Sequence, residues 1–548
     1  MHPGATGAAG DPLAAIAGRG PRGSVLHVRL PCNKVWPLGA ITLAGHVRQH
    51  HPHVRQRLLD LAVLPPARRR DYLLEEIRAF RPEVIAISWR DIQVFAPHEA
   101  DASLENSFNF FYSNSLVKKV LSSFNGLKMV AAYHANLREN LGTVRLLAKN
   151  FPDALILLGG GAFSVFHKQL TPRLPSGVIG VIGEGEQVLD RVLTGTPPAT
   201  VPAPLRISFH QQGRVTESAL STSPPPLDLA EGAIDYAYIR DIFPQWEAYR
   251  GHQVSVQTKR GCPYRCAYCL YPYIEGTQVS LRPPQRVLDE MEFLHRHLDA
   301  RDIWFADAQF LTGRRAVSNA EAILAGIIER GLNITWSGYV RTSSITPGLA
   351  DLMVRSGVGD LEVGLASGSQ RMVNEMQLGF RMDNLYRGAQ NLKQAGYRHK
   401  LILNFSPNMP GETVASLLET VESYHRFAAI MGEENIYPMI FFIGVQPHTP
   451  MEQRLIAEGH LAPDYNPMSL NPWSIKKLLY NPHPLNGPIS EACLEAWRDG
   501  TEDSGRRVLT ALERILRQRH PDLCGEARPG GPGSLPAPPR PAGTGQPA

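Results

Sequence analysis

The sequence predicts an α/β chain: an open, mostly parallel sheet, then a partial (β/α)6 barrel, closed by a small helical cap. Three observations predict it. Short apolar runs alternate with helical stretches over 25–195, and the alternation restarts over 251–470. A Pro-rich segment separates the two series. Several helical stretches of the second series are followed by Gly331, Gly357 and Gly396, the residue that best tolerates the left-handed close of a helix. Alternation of this kind signals crossover units and parallel sheets.

In the first series, strands are expected at 25–30, 57–64, 84–88, 154–158 and 178–182, with helices at 40–49 and 72–80. Open sheets of this type bind ligands beyond the carboxyl ends of their strands. The stretch 95–151 is too long for a loop and reads as an inserted helical element. Residues 196–250 read as a linker with a hairpin at 205–215, because prolines crowd 197–204 and 224–226. In the second series, strands are expected at 254–258, 302–306, 335–339, 360–364, 400–405 and 436–444. Val287, Met291, Leu294 and Leu298 recur at helical spacing between the first two. A parallel barrel places its chemistry at the carboxyl ends of its strands. Residues 471–525 form the cap. Residues 1–24 and 526–548 are rich in Gly and Pro and read as a disordered leader and tail.

The charge balance excludes some partners. With 56 basic and 51 acidic side chains the net charge is only +5, which gives no case for nucleic acid or an anionic membrane. No apolar run approaches the ~20 residues of a membrane span. The run 439–445 reads as a buried strand. The leader lacks the apolar core of a signal peptide, so the expected location is the cytoplasm.

Three of the six cysteines, Cys32, Cys493 and Cys524, are isolated. The other three, Cys262, Cys266 and Cys269, form a CxxxCxxC pattern just after the first strand of the barrel. Thiolates are the usual ligands of iron–sulfur clusters. Three thiolates leave one iron of a 4Fe–4S cube open to an amino and a carboxylate group, which the methionine end of S-adenosylmethionine carries. The plain alternative is structural zinc. That site wants four closed ligands, and neither a second cysteine pair nor a nearby histidine supplies the fourth.

At these residues the chain resembles the radical SAM superfamily, with Tyr268 directly before the last cysteine. The resemblance implies that Tyr268 contacts adenine and that Phe305-Ala306-Asp307-Ala308-Gln309 meets the methionine amino group. It also implies that Arg341 holds the carboxylate. The segment 363–370 resembles the family's Gly-x-Glu-Ser-Gly. Ala366 replaces the acid, while Ser367 and Gly368 remain. A barrel-rim ion pair is the alternative for Asp307 and Arg341.

Ahead of the barrel, the chain resembles a Rossmann-like cobalamin-binding domain. The pieces are Pro37-Leu38-Gly39, Gly159-Gly160-Gly161 and Gly183-Glu184-Gly185-Glu186. The alternative is a set of tight turns or a nucleotide site. The Asp-x-His-x-x-Gly motif that offers a histidine to cobalt is absent. Arg90, after the third strand, is expected near the lower face of the corrin. It does not ligate cobalt, because guanidinium has no free lone pair. Pairing with Asp91 is the alternative.

Within this class the chain resembles the P-methyltransferases of phosphinothricin and bialaphos biosynthesis. The carrying strings are Ser88-Trp89-Arg90-Asp91-Ile92-Gln93-Val94-Phe95-Ala96-Pro97-His98, Phe305 to Phe310, and Ala366-Ser367-Gly368-Ser369-Gln370. The resemblance implies a 4Fe–4S cluster, S-adenosylmethionine and methylcobalamin as cofactors. It implies a small-molecule or tripeptide phosphinate as substrate, and a flavodoxin- or ferredoxin-type electron donor. Arg314, Arg315 and Arg381 are candidates for holding that substrate, since paired guanidinium groups suit phosphinate and carboxylate. Solvated surface charge is the alternative for each. Other functions remain open: a cobalamin-dependent C-methyltransferase, a non-catalytic corrinoid or iron–sulfur protein, or methylthiolation, which wants a second cluster site.

Overall fold

The computed structural model describes residues 20–90, 102–195, 206–211, 214–217, 229, 234–480 and 483–524. Asp91 to His98, both proline clusters, almost all of the leader and the whole tail 526–548 lie outside the described residues.

The first sheet has seven strands in the order β2-β1-β3-β4-β5-β6-β7. Its parallel part comprises β1 (Ser24–Arg29), β2 (Arg55–Asp60), β3 (Val84–Ser88), β4 (Leu155–Gly159) and β5 (Val178–Val181). The antiparallel hairpin of β6 (Ile207–Gln211) and β7 (Arg214–Glu217) extends its edge. Register aligns the strand ends: Arg29 lies beside Asp60 and Ser88, and Ser88 beside Gly159. After β2 is added on one side of β1, β3 is added on the other, and this change of strand order is the switch point where such sheets open a crevice. Helices Leu38–His50 and Glu186–Thr194 cover one face of the crevice.

The second sheet runs in simple order through β8 (Val254–Val256), β11 (Asp302–Phe305), β12 (Thr335–Tyr339), β13 (Val358–Ala366), β14 (Leu401–Phe405) and β15 (Ile436–Ile440). All pairs are parallel. Along β11, β12 and β14, outward residues such as Ile303, Trp336 and Leu403 are buried under helices, while alternate residues face the lumen. That period of two is what a strand imposes. The last strand ends earlier than its apolar run, at Ile440. Phe442, Ile443 and Val445 are buried as irregular chain instead.

A two-stranded clasp, β9 (Lys259–Arg260) against β10 (Ser280–Leu281), closes the cysteine loop at its base. Helices Ala102–Tyr112 and Leu116–Asn150 form the inserted element. The insertion reaches the barrel and the cap, for Phe108 packs on Phe442 at 5.0 Å and on Trp497 at 5.6 Å.

The linker reading fails over 234–250. Tyr236, Phe243, Trp246 and Tyr249 are buried there. Trp36 of the first unit meets Trp246 at 5.5 Å and Tyr249 at 5.2 Å, both edge-on. Tyr236 stacks with Phe293 of the barrel and donates to Glu290 Oε1 at 2.6 Å. Aromatic rings joined edge-on or offset add stability beyond their buried area. The segment is therefore a packed joint between the two units. Among the described residues no helix is long and apolar enough to cross a membrane.

Candidate active site

The cysteine loop leaves β8 and is shaped by backbone contacts. Gly261 has φ +82°, and a Cβ there would lie 1.9 Å from the Gln278 carbonyl oxygen, so only glycine fits. Cys262 N donates to Gly276 O at 3.1 Å, and Cys269 N to Cys266 O at 3.0 Å. Ala267, between the last two cysteines, donates to Met376 O at 2.9 Å and accepts from Met451 N at 2.8 Å. The loop is thus anchored to distant parts of the barrel.

The chemistry of the donor set fits an iron–sulfur cluster. Burial pushes the Cys266 thiol up, opposed by the Arg341 guanidinium, and pushes Cys269 up to about 12. Such thiols ionise only when a positive centre sits against them, and a coordinated metal deprotonates a thiol outright. Among the described residues no three His, Cys, Asp or Glu side chains converge as one metal ion requires. A cube carries its thiolates on separate irons and does not need that convergence.

Arg341 leaves β12 and is 7% exposed. Its guanidinium carbon lies 3.4 Å from the centre of the Tyr264 ring, inside the cysteine loop, and Nη2 donates to Cys266 Sγ at 3.6 Å. Among the described residues its Nη1 is buried without a hydrogen-bond partner, as is Gln309 Oε1. These orphaned groups suit the carboxylate and amino ends of an amino acid. Tyr268 is packed against the core between Cys266 and Cys269, and burial raises its phenol.

Asp307, expected to meet the methionine amino group, has partners within the protein. It is 1% exposed, and it accepts from Thr258 N at 2.8 Å, Lys259 N at 3.2 Å and the Thr258 hydroxyl. It therefore pins the entry to the cysteine loop. Ser367 also has local partners. Its Oγ accepts from Ser369 N at 3.2 Å and pairs with Thr420 Oγ1 at 3.0 Å.

One cavity of about 860 Å³ runs between the two units. Leu38, Gly39, Arg90, Gly160, Gly161, Gly183, Glu184 and Gly185 all line it, and so does Asp307. The barrel contributes Trp304, Tyr339, Glu362 and, just past Cys269, Tyr271 and Glu275. From the first sheet and its helices, Leu43, Ala86, Leu157, Val181 and Leu189 line the cavity as well, with His27 among them. Gly160 makes the bend at the mouth possible. Its φ is +94°, and a Cβ would meet Trp89 O at 2.6 Å. The glycine turns that line this chamber let a bulky ring approach the backbone there. Burial pushes Glu184 up to about 7 against the pull of Arg260, and it raises Glu275.

The three substrate arginines are not brought together. Arg314 and Arg315 lie on the first turn of helix Gly313–Glu329, outside the barrel. They line a separate groove of about 420 Å³ with Ser318 and Asn319. Arg381 is exposed at the start of helix Met382–Gln394 and does not line the chamber. Helices of a parallel barrel sit outside it, so their first turns face solvent as easily as the mouth. The sequence reading missed Lys34, Arg260, Tyr339 and Glu362 of the chamber wall. Alternation along the strands could have flagged Tyr339 and Glu362, and the Lys-Arg-Gly-Cys string could have flagged Arg260.

The chain is similar to several known proteins. Residues 256–424 match the Radical SAM superfamily. An uncharacterized methyltransferase, PH0819, of Pyrococcus horikoshii is 26% identical over 52% of this chain and 60% of its own length. The cobalamin-dependent radical SAM methyltransferase TokK of Streptomyces tokunonensis is 25% identical over 41% of this chain and 34% of its own. The chain thus spans about half the length of these curated relatives. The structure of the radical S-adenosylmethionine methyltransferase TsrM from Kitasatospora setae, with cobalamin and a [4Fe–4S] cluster bound, superimposes with a TM-score of 0.57. The match covers 90% of this chain and 99% of TsrM at 18% identity. Residues 256–424 are a radical SAM domain with homology to cobalamin-dependent radical SAM methyltransferases, carried in a chain with the α/β fold of those enzymes.

Proposed function

We propose that the chain is a cobalamin-dependent radical SAM P-methyltransferase. It moves a methyl group from S-adenosylmethionine, by way of methylcobalamin, to phosphorus in an N-acetyl-demethylphosphinothricin unit, free or as the tripeptide. It acts in the cytoplasm, in antibiotic biosynthesis, with a flavodoxin- or ferredoxin-type electron donor. The observation that carries the methyl-transfer reading is the shared chamber. Its walls come from the glycine turns of the first sheet and from the barrel lumen, and the residues just after Cys269 border it.

When bound, the cluster and S-adenosylmethionine supply a hydrogen-abstracting radical, and the corrinoid supplies the methyl group. The chain's own residues hold these groups in register. Cys262, Cys266 and Cys269 offer three thiolates, Arg341 reaches Cys266, and Arg341 Nη1 and Gln309 Oε1 are buried polar atoms without a partner among the described residues. Lys34 and Arg90 put positive charge in a chamber wall that also carries Glu184, Glu186, Glu275, Asp307 and Glu362. A phosphinate that keeps hydrogen on phosphorus has no free lone pair for polar methylation, which explains the need for radical equipment. The phosphinothricin assignment rests on the strings around Ser88, Phe305 and Ala366.

A second reading, C-methylation of another natural product, is favoured by one observation: Arg314, Arg315 and Arg381 do not reach the chamber. Anaerobic incubation of the reconstituted protein with an N-acetylated H-phosphinate separates the two. A new P-methyl signal in the ³¹P and ¹H NMR spectra supports the first. Unchanged phosphorus under conditions that turn over S-adenosylmethionine removes it.

A further inference from the structure

Charged groups at the boundary between the two units have a task that the proposed chemistry leaves unused. Arg260 stands two residues before Cys262. Its Nη1 donates to Glu184 Oε1 at 3.2 Å, and its Nη2 to Glu186 Oε1 at 2.7 Å. Both carboxylates belong to the glycine turn 183–186 of the first unit. All three side chains are at most 15% exposed, so little water screens the pairs.

The far end of the cysteine loop touches the same turn. A Cβ on Gly183 would lie 3.1 Å from Ile274 O. Arg206, equally close to Gly183, donates to Tyr273 O at 2.9 Å. Glu275 Oε2 then accepts from Gly261 N at 3.2 Å, which ties the exit of the loop to its entry. The turn therefore abuts the loop both before Cys262 and after Cys269. Glu184, Glu186, Arg260 and Glu275 also line the chamber, so a ligand that fills it bears on the residues that hold the cysteine loop.

Resting on the reading that the chamber takes cobalamin and the cysteines take a 4Fe–4S cluster, we propose that Arg260 is a positioning residue. It locks turn 183–186 to the cysteine loop, so that corrinoid and cluster favour each other's binding. A buried guanidinium shared by two carboxylates has one good geometry, and moving either segment alone leaves charge unpaired in a medium of low dielectric. Each ligand orders its own segment, and the ion pairs carry that order across. Such coupling is reciprocal and typically amounts to about 5- to 150-fold in affinity.

The test is a titration of the full chain with hydroxocobalamin, followed by absorbance, with and without prior anaerobic reconstitution of the cluster. The native protein is expected to bind at least about fivefold more tightly once the cluster is present. Arg260→Gln should reduce that ratio to near one whatever it does to either affinity alone, because the ratio compares one variant with and without the cluster. Glu186→Gln perturbs the clamp from the other side, without touching the cysteine loop, and should reduce the ratio too. The converse readout is the rate of iron loss to a chelator, which hydroxocobalamin should slow in the native protein and not in Arg260→Gln. A full ratio retained in both variants, or none in the native protein, overturns the proposal. Failure of the native protein to bind iron or hydroxocobalamin at all is a different result, and it overturns the underlying reading as well.

Discussion

Arg341 lies flat on Tyr264 at 3.4 Å and donates to Cys266 Sγ at 3.6 Å, although 75 residues separate it from that cysteine. One guanidinium thus touches both the cluster loop and a buried spot where one of its own nitrogens has no partner among the described residues. A cation so placed does two things. It eases the ionisation of Cys266, which burial resists, and it leaves Nη1 ready for an incoming carboxylate.

Replacing Arg341 should therefore separate two properties. Arg341→Met should still take up close to four irons per chain, because the three thiolates remain. Its affinity for S-adenosylmethionine should fall by roughly tenfold to a hundredfold, the range for one lost charge-assisted hydrogen bond of ~1.5–3 kcal/mol. Isothermal titration of the reconstituted protein checks this.

The glycine at the chamber mouth should not accept a side chain. Gly160→Ala forces alanine into a φ of +94° and places its Cβ 2.6 Å from Trp89 O. The backbone there must shift, at a cost of roughly 2–4 kcal/mol. The expected outcome is a lower melting temperature with weakened corrinoid binding. Gly39→Ala, which has open space at that Cβ position, should leave the melting temperature of the cofactor-free protein close to that of the native protein.

Acid should weaken the first unit through His27. The ring is 1% exposed, and burial lowers its pKa from 6.5 to about 4, partly offset by its bond to Gln56 at 2.9 Å. The folded state therefore binds the proton less readily than the unfolded state. The stabilising contribution is complete above pH 6.5 and is lost as pH falls toward 4. Across that window the loss is on the order of 3 kcal/mol. His448, stacked on Tyr273 at 4.1 Å and also lowered to about 4, adds in the same direction. Urea unfolding of cofactor-free protein at pH 7.5 and 5.0 should show the loss, and His27→Gln should show a smaller one.

Much of this site was legible because its signals are local. Three cysteines at fixed spacing after a strand need no tertiary information, and glycine runs at strand ends mark where backbone must bend. The chamber is lined by the seven residues named from those runs and by Arg90, named from the end of the third strand. Other features depended on long-range geometry. Asp307 sits at a strand end as expected, but only the fold shows that Thr258 and Lys259 occupy its oxygens. Arg314 and Arg315 follow the same strand closely, yet the first turn of the next helix carries them outside the barrel. Residues 234–250 neighbour proline-rich chain and so resembled a linker. Their aromatic rings find partners in Trp36 and Phe293, far away in sequence. The ion pairs of Arg260 cross 74 and 76 positions and have no local trace.

The central claim is that the loop gives thiolate to only three irons of a cube. Mössbauer spectroscopy of anaerobically reconstituted, iron-57-labelled protein tests it most directly, with and without S-adenosylmethionine. The account predicts close to four irons per chain, one of which changes its signal when S-adenosylmethionine is added, and loss of the cluster in Cys266→Ala. Zinc in the loop, or four irons that ignore S-adenosylmethionine, would contradict it.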